Sequence, residues 1–118
     1  IVSLVINQLI LIFIQRVRPY DAGITDLLID RSADFSFPSD HATASFAIAA
    51  ALIMHGMRRM GAWFLGAALL VAFSRVYIGT HYFSDVAGGA LIGVVAAVIV
   101  QKSYREGTRL DRFLTAIL

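Results

Sequence analysis

A twelve-residue stretch in the second half of the chain, Ser74 to Asp85, carries three side chains that together can bind and transfer a phosphate group. Arg75 is a permanent cation, His81 can act as a nucleophile or a proton carrier, and Asp85 is a carboxylate four residues beyond His81. If a helix begins near Thr80, Asp85 lies one turn from the imidazole and can fix its tautomer and orientation. The spacing therefore predicts a site for phosphoryl chemistry.

Two earlier segments carry groups of the same kind, which bring the candidate set to Arg18, Ser39, His41, Arg75, His81 and Asp85. Guanidinium forks and the free N–H groups of a helix N-terminus both suit phosphate oxygens. Two histidines allow a division of labour in which one, held by a carboxylate, attacks phosphorus and the other protonates the departing oxygen. The arginines supply the stabilising charge, so the site needs no metal.

Two other interpretations of these residues remain open at this stage. His41, His81 and Asp85 are possible metal ligands, although two arginines nearby would repel a cation. The charged residues are alternatively interfacial anchors and ion pairs, but a charge near the bilayer is costly enough to favour a functional explanation. The chain has no cysteine, which excludes disulfides and thiolate metal sites.

The composition indicates that these groups are positioned by membrane helices. Of 118 residues, 58% are hydrophobic and 15% charged, and the mean hydropathy is +0.76. Four runs of 15 or 16 residues contain no Asp, Glu, Lys or Arg: 1–15, 42–57, 60–74 and 86–101. Polar flanks and snorkelling arginines can extend them to the ~20 residues that cross a bilayer. A soluble all-α core is the alternative, but four such helices would need more polar surface.

The basic residues predict which ends of these helices share a side of the membrane. Arg58 and Arg59 lie between the second and third runs, and the fourth run is followed by Lys102, Arg105, Arg109 and Arg112. By the positive-inside rule both places are cytoplasmic. The 16–40 loop and the 75–85 corner then lie together on the extracytoplasmic side, as a single site requires.

Three smaller features have predicted structures. The 20–37 connection contains four closely spaced apolar residues: Ile24, Leu27, Leu28 and Ile29. Their spacing predicts a short amphipathic helix at the membrane interface, which could act as a lid; the alternative is a packed loop. Gly89 and Gly93 predict close helix packing within the chain rather than dimerisation. Residues 113–118 predict a surface helix, and Ser39 or Asp40 is expected to cap the second helix.

These motifs together resemble the three-part signature of the type 2 phosphatidic acid phosphatase superfamily. The parts are Arg18-Pro19, then Pro38-Ser39-Asp40-His41, then Ser74-Arg75 with five residues before His81 and three more before Asp85. The resemblance implies an integral membrane phosphatase that uses no cofactor. It implies that His81 is the nucleophile and forms a phosphohistidine, that Asp85 orients it, and that His41 is the general acid. It further implies the groups that bind the phosphate oxygens: Arg18, Ser39, Arg75 and the backbone amide of Asp40.

The sequence departs from the family pattern at two positions. Leu11 stands where the family usually has a lysine, and Asp40 replaces the usual glycine before the histidine. A carboxylate beside a phosphate site is expected to need a cation such as Arg16 or Arg31. The Pro-Ser-Asp-His form, with Asn7-Gln8 in the preceding helix, resembles the bacterial undecaprenyl diphosphate phosphatases. Asn7 and Gln8 are expected either to bond between helices or to act near substrate.

The expected protein is an all-α integral membrane bundle, one domain over residues 1–118, with four helices that correspond to the C-terminal part of a six-helix fold. The resemblance implies hydrolysis of undecaprenyl diphosphate on the outer side of a bacterial inner membrane, with lipid phosphates and membrane lipids as partners and no nucleic acid. The alternatives are a phosphatidic acid or phosphatidylglycerophosphate phosphatase, or a lipid-phosphate binding or transport module without catalysis. The vanadium haloperoxidases resemble the same site, but they are soluble.

Overall fold

The computed structural model describes residues 1–26 and 28–103, and these fold into four α-helices with no strand among them. The helices are α1 (Val2–Phe13), α2 (Asp40–Met54), α3 (Arg58–Tyr77) and α4 (Phe83–Ser103). All four expected apolar runs form helices, which confirms the all-α prediction. Leu27 and the helix predicted at residues 113–118 lie outside the described residues.

The central helix is α2, which packs against α3 on one side and α4 on the other, while α1 lies against α4 and α2. Gly89 and Gly93 of α4 are buried against α2. A Cβ added at Gly93 would meet the carbonyl oxygen of Thr43 and would lie 2.9 Å from the backbone nitrogen of Ala47. The two backbones therefore touch where these glycines lie, and the prediction of packing within the chain is confirmed.

The outer surfaces of α3 and α4 are apolar, as expected for helices in lipid. They have 20 and 21 residues, enough to cross a bilayer, whereas α1 and α2 are shorter apolar helices. Trp63 is 77% exposed and Leu70 is 72% exposed, while the buried core is built from small residues such as Ala42 and Ala72. A soluble bundle would turn its large apolar side chains inward, so this arrangement indicates a membrane bundle.

The connection between α1 and α2 differs from the sequence prediction. Its described residues, 14–26 and 28–39, form turns and bends and contain no helix, and Ile24 and Leu28 are exposed. Gly23 has a φ of +72°, which interrupts any helix there. Contacts with distant residues hold the segment instead: Thr25 Oγ1 donates to the carbonyl of Gly79 over 2.9 Å. The prediction of an amphipathic helix is therefore wrong for the described residues.

The turn between α3 and α4 does not meet the condition of a helix that begins near Thr80, because α4 begins at Phe83. Gly79 has a φ of +78°, and a Cβ there would lie 2.8 Å from Thr25 Oγ1. The backbone N–H groups of Thr80 and His81 both donate to the carbonyl of Arg75, which closes a tight turn. His81 consequently lies in the connection and not on the helix that carries Asp85.

Candidate active site at the convergent helix ends

The C-terminal ends of α1 and α3 meet the N-terminal ends of α2 and α4 around one cavity. The backbone N–H of Ser39, at the start of α2, donates to the carbonyl of Asp85 over 3.1 Å. The cavity has a volume of about 110 Å³ and is lined by Leu11, Arg18, Ile29, Asp30, Ser32, Asp34, Phe35, Pro38, Asp40, His41, Arg75, Thr80 and His81. The candidate groups from three separate segments therefore share one cavity.

Two of the six candidate residues, Ser39 and Asp85, lie outside the cavity lining. Both are fully buried behind it. Ser39 is the N-cap residue of α2, as predicted, but its hydroxyl makes no capping hydrogen bond. Asp85 therefore affects the cavity through other residues, and a hydroxyl contact from Ser39 to a ligand would require a small local movement.

The imidazole of His81 is held in one orientation by two neighbours. Its Nδ1 lies 2.8 Å from the carbonyl oxygen of Ser36, and its Nε2 lies 3.3 Å from Nη1 of Arg18. A carbonyl can only accept and a guanidinium can only donate, so Nδ1 carries the hydrogen and Nε2 carries the lone pair. The nitrogen beside the cationic Arg18 is thus the one that carries the lone pair.

Asp85 does not bond directly to His81. The shortest distance between its Oδ2 and Nδ1 of His81 is 3.8 Å, too long for a hydrogen bond. Oδ2 instead accepts from the Ser36 hydroxyl and from the Tyr82 backbone N–H at 2.9 Å, and Oδ1 pairs with Nη1 of Arg16 at 2.7 Å. The carboxylate is therefore tied to the imidazole through Ser36.

Arg18 is buried and fully positioned by the loop around it. Its Nε donates to the Asp34 carbonyl over 2.8 Å, its Nη1 to the Thr80 carbonyl over 3.1 Å, and its Nη2 to Ser32 Oγ over 3.3 Å. These bonds fix the guanidinium before any ligand arrives. Such preorganisation is what electrostatic stabilisation of a transferring phosphoryl group requires.

Arg75 and Ser39 each have a buried polar atom that the described residues leave without a hydrogen-bond partner. These atoms are Nε of Arg75 and Oγ of Ser39. Most buried polar atoms are paired, so an unpaired one calls for an explanation. Both belong to residues for which the family resemblance implies contact with phosphate oxygens, and a phosphate ligand would satisfy donors of this kind.

The carboxylate of Asp40 is bound by side-chain amides from α1. It accepts hydrogen bonds from Asn7 Nδ2 and from Gln8 Nε2, the latter at 3.1 Å. Asn7 is fully buried, donates also to the Pro38 carbonyl over 3.2 Å, and accepts from Thr43 Oγ1 over 2.7 Å. Asn7 and Gln8 therefore bond between helices, one of the two roles expected for them.

The expectation that Arg16 or Arg31 neutralises Asp40 is wrong. Arg16 pairs with Asp85, and Arg31 pairs with Asp21 at 3.3 Å. The Asp40 carboxylate is hydrogen-bonded by side-chain amides of α1 instead, because Asn7 is buried against the start of α2. Asp40 lines the same cavity wall as Arg18 and Arg75.

The remaining histidines differ in position. His41 stands in the first turn of α2 and lines the cavity, whereas His55 caps the other end of that helix, with Nδ1 2.8 Å from the Ala51 carbonyl. A metal held between His41 and His81 would meet the Arg18 guanidinium, which touches Nε2 of His81. That contact favours an anion over a cation in the cavity.

Sequence reasoning missed two residues that contact the candidate catalytic groups. Ser36 bonds to both His81 and Asp85, and Arg16 binds Asp85. Arg16 was considered only as a partner for Asp40. The only sequence signal for Ser36 is its place three residues before Ser39, which by itself does not indicate a function.

The apolar helices, the convergent helix ends and the cavity lined by histidine and arginine side chains fit the superfamily that the sequence motifs resemble. The sequence matches the PAP2 superfamily over residues 1–109, and the chain belongs to this superfamily. The resemblance stated from the motifs is thereby confirmed.

Relatives within the superfamily act on more than one lipid. An undecaprenyl-diphosphatase from Bacillus subtilis is 39% identical over 95 residues, which are 80% of this chain and 49% of the relative. Phosphatidylglycerophosphatase B from the same organism is 32% identical over 106 residues, 81% of this chain and 50% of the relative. The chain therefore spans about half the length of these curated relatives.

A solved structure shares the fold. The crystal structure of a transmembrane PAP2-type phosphatidylglycerolphosphate phosphatase from Bacillus subtilis matches with a TM-score of 0.71 and 29% identity. The match covers 91% of this chain and 56% of the other. This agreement confirms the integral membrane helical fold.

Proposed function

We propose that this chain forms the catalytic part of a membrane phosphatase that removes the terminal phosphate of undecaprenyl diphosphate or a related polyprenyl diphosphate. The observation that supports it most directly is the lone pair on His81 Nε2, held beside Arg18 in a cavity that His41 and Arg75 also line. A nucleophile, a second proton carrier and two cations are the parts that phosphoryl transfer through a covalent intermediate needs.

The reaction has two steps in this proposal. Nε2 of His81 attacks the terminal phosphorus and forms an N–P bond while the bond to the bridging oxygen breaks, and His41 gives its proton to that leaving oxygen. Water then attacks the phosphorus of the phosphohistidine, and His41 takes a proton from the water. The N–P bond breaks, its electron pair returns to Nε2 of His81, and inorganic phosphate leaves. Arg18, Arg75 and the Asp40 backbone amide bind the phosphate oxygens without a metal ion, and Ser39 joins them after its local movement.

The proposed substrate is a lipid because the cavity lies at the ends of helices whose outer surfaces are apolar. A polyprenyl diphosphate is favoured by the 39% identical relative that bears the name undecaprenyl-diphosphatase. The positive-inside rule, applied to Arg58 and Arg59 at the opposite end of α2, supports a cavity on the extracytoplasmic face of a bacterial inner membrane.

A panel of lipid substrates tests the proposal. Purified protein is incubated with undecaprenyl diphosphate, phosphatidic acid and phosphatidylglycerophosphate, with and without EDTA, and free phosphate is measured. The expected result is the highest kcat/KM on undecaprenyl diphosphate and no effect of EDTA. Loss of activity on chelation, or no phosphate release from any lipid, would contradict the proposal.

A phosphatidylglycerophosphate phosphatase is the second candidate, and two observations favour it. The 32% identical relative and the structural neighbour both carry this activity in their names. The same panel distinguishes the two, because the preferred lipid is the one with the higher kcat/KM. A binding or transport module without catalysis would bind these lipids and release no phosphate.

Replacing the proposed nucleophile tests the covalent step. His81→Ala should abolish phosphate release while the protein still inserts in the membrane, because the imidazole supplies the attacking nitrogen. Acid-labile phosphate should be trapped on the unaltered protein and should be absent from the variant. Phosphate trapped on any residue other than His81 would contradict the assignment.

A further inference from the structure

Ser36 contacts the proposed nucleophile and the buried carboxylate at the same time. Its carbonyl oxygen lies 2.8 Å from Nδ1 of His81, and its hydroxyl donates to Oδ2 of Asp85. Ser36 is fully buried, so neither contact competes with solvent. One residue therefore joins the two side chains that are themselves 3.8 Å apart.

The other oxygen of Asp85 is bound by Arg16. Nη1 of Arg16 lies 2.7 Å from Oδ1, and its guanidinium carbon lies 4.1 Å from the centre of the Tyr82 ring. A fully buried carboxylate is costly unless it is paired and hydrogen-bonded. Arg16 supplies the opposite charge, and the Tyr82 ring positions that arginine.

We infer that Ser36 and Arg16 are positioning residues of the active site, an inference that rests on the proposed role of His81. Arg16 fixes Asp85, Asp85 fixes the Ser36 hydroxyl, and the Ser36 carbonyl fixes the Nδ1–H of His81. Asp85 thus orients the imidazole mainly through Ser36 rather than by direct contact.

The position of this hydrogen decides whether His81 can react. Neutral imidazole exists in two tautomers, and only the one with Nδ1–H has a lone pair on Nε2. Contact with the Ser36 carbonyl stabilises that tautomer, and the alternative would point an Nε2–H at the N–H of Arg18. The Ser36 backbone N–H also donates to the Arg16 carbonyl over 2.8 Å, so loss of the Ser36 hydroxyl removes one of the two hydrogen bonds that hold this carbonyl in place.

Steady-state kinetics on undecaprenyl diphosphate, or on the best lipid of the panel, test the positioning role. Ser36→Ala and Arg16→Gln should each lower kcat roughly 10- to 100-fold with little change in KM, because the chemical step depends on the imidazole and the cavity lining stays intact. Ser3→Ala is the matched control, since Ser3 is a buried serine of α1 that lies near His55, at the opposite end of the bundle from the cavity. It should keep kcat within about twofold.

An unchanged kcat in Ser36→Ala, a change confined to KM, or an equal loss in Ser3→Ala would overturn the inference. A spectroscopic measurement gives a second criterion that does not require activity. The chain has only three histidines, so ¹⁵N-histidine labelling gives few signals, and comparison with His81→Gln assigns those of His81. The neutral ring should show a protonated Nδ1, and Ser36→Ala should shift signal towards the other tautomer.

A protonated Nε2 on neutral His81 in the unaltered protein would also overturn the inference. The failure of the proposed function has a different signature: no lipid releases phosphate, while the ¹⁵N spectrum still shows the Nδ1–H tautomer. The two experiments therefore distinguish a wrong positioning chain from a wrong enzyme assignment.

Discussion

His41 occupies the cavity without a side-chain hydrogen bond to any described residue, so its ring is free to meet a ligand. Loss of a general acid costs most when the leaving oxygen is a poor leaving group. His41→Ala should therefore slow single-turnover release of undecaprenyl phosphate by about 10²- to 10⁴-fold. Single-turnover release of para-nitrophenol from para-nitrophenyl phosphate should fall much less, because that leaving group needs no proton.

His55→Ala serves as the control for this prediction. His55 lies at the opposite end of α2, where its Nδ1 contacts the Ala51 carbonyl. Both substrates should react at the unaltered rate in that variant. If His41→Ala slowed both substrates equally, His41 would not be the proton donor to the leaving oxygen.

At the scale of the helices, α1 is attached to the start of α2 by one buried amide. Asn7 donates hydrogen bonds to the Pro38 carbonyl and the Asp40 carboxylate, and it accepts one from the Thr43 hydroxyl. Asn7→Leu leaves these groups with unmet bonds and should lower the free energy of unfolding by about 1–3 kcal/mol. Thermal unfolding in detergent measures the effect.

Gln8→Leu is the comparison for Asn7→Leu. Gln8 is exposed, and Asp40 keeps its Asn7 bond in this variant, so the loss of stability should stay below about 1 kcal/mol. Equal effects of the two substitutions would show that the buried network does not hold α1 in place.

The contact between α2 and α4 sets the position of the cavity and depends on Gly93. Gly93→Val would push a side chain into the backbone of Thr43 and Ala47, so α2 and α4 must separate. The variant should unfold at a lower temperature and lose phosphate release, since the two helices carry His41 and Asp85. Circular dichroism melting and a phosphate assay follow the two effects.

Gly66→Ala gives the matched control, because a Cβ at Gly66 of α3 meets no atom within 4 Å. Alanine has a higher helix propensity than glycine, by about 1 kcal/mol. This variant should therefore be as stable as the unaltered protein or slightly more stable, with full activity. If Gly66→Ala also lowered the stability, the effect of Gly93→Val could not be attributed to the contact between α2 and α4.

At the scale of the whole molecule, the two ends of the bundle differ in charge. The described carboxylates all lie in the α1–α2 connection or at the first turns of α2 and α4, whereas Arg58 and Arg59 begin α3 at the other end. By the positive-inside rule we expect the cavity to lie on the extracytoplasmic side of the membrane.

Cysteine labelling checks this orientation, and the chain offers a clean background because it contains no cysteine. Ala33→Cys, exposed in the α1–α2 connection, should react with a membrane-impermeant maleimide on intact cells. Met57→Cys, exposed at the α2–α3 turn, should react only after the membrane is permeabilised. Labelling of Met57→Cys on intact cells, with Ala33→Cys labelled only after permeabilisation, would mean that the cavity faces the cytoplasm.

The sequence alone determined the class of fold and the motifs of the site. Apolar runs indicate membrane helices because a charge-free run of this length is costly in water, and spaced glycines indicate close packing. The Arg18, His41, Arg75 and His81 motifs were recognisable because each has fixed local spacing. Information of this kind lies within one run or one short segment of the chain.

Only the tertiary structure decided how the catalytic groups are held. The Ser36–His81, Ser36–Asp85 and Arg16–Asp85 contacts join residues 45, 49 and 69 positions apart, and Asn7 reaches Asp40 across 33. Local propensity carries no information about such pairs, because which side chains meet depends on how the helices pack. For the same reason the start of α4 and the shape of the α1–α2 connection follow from contacts between the two loops.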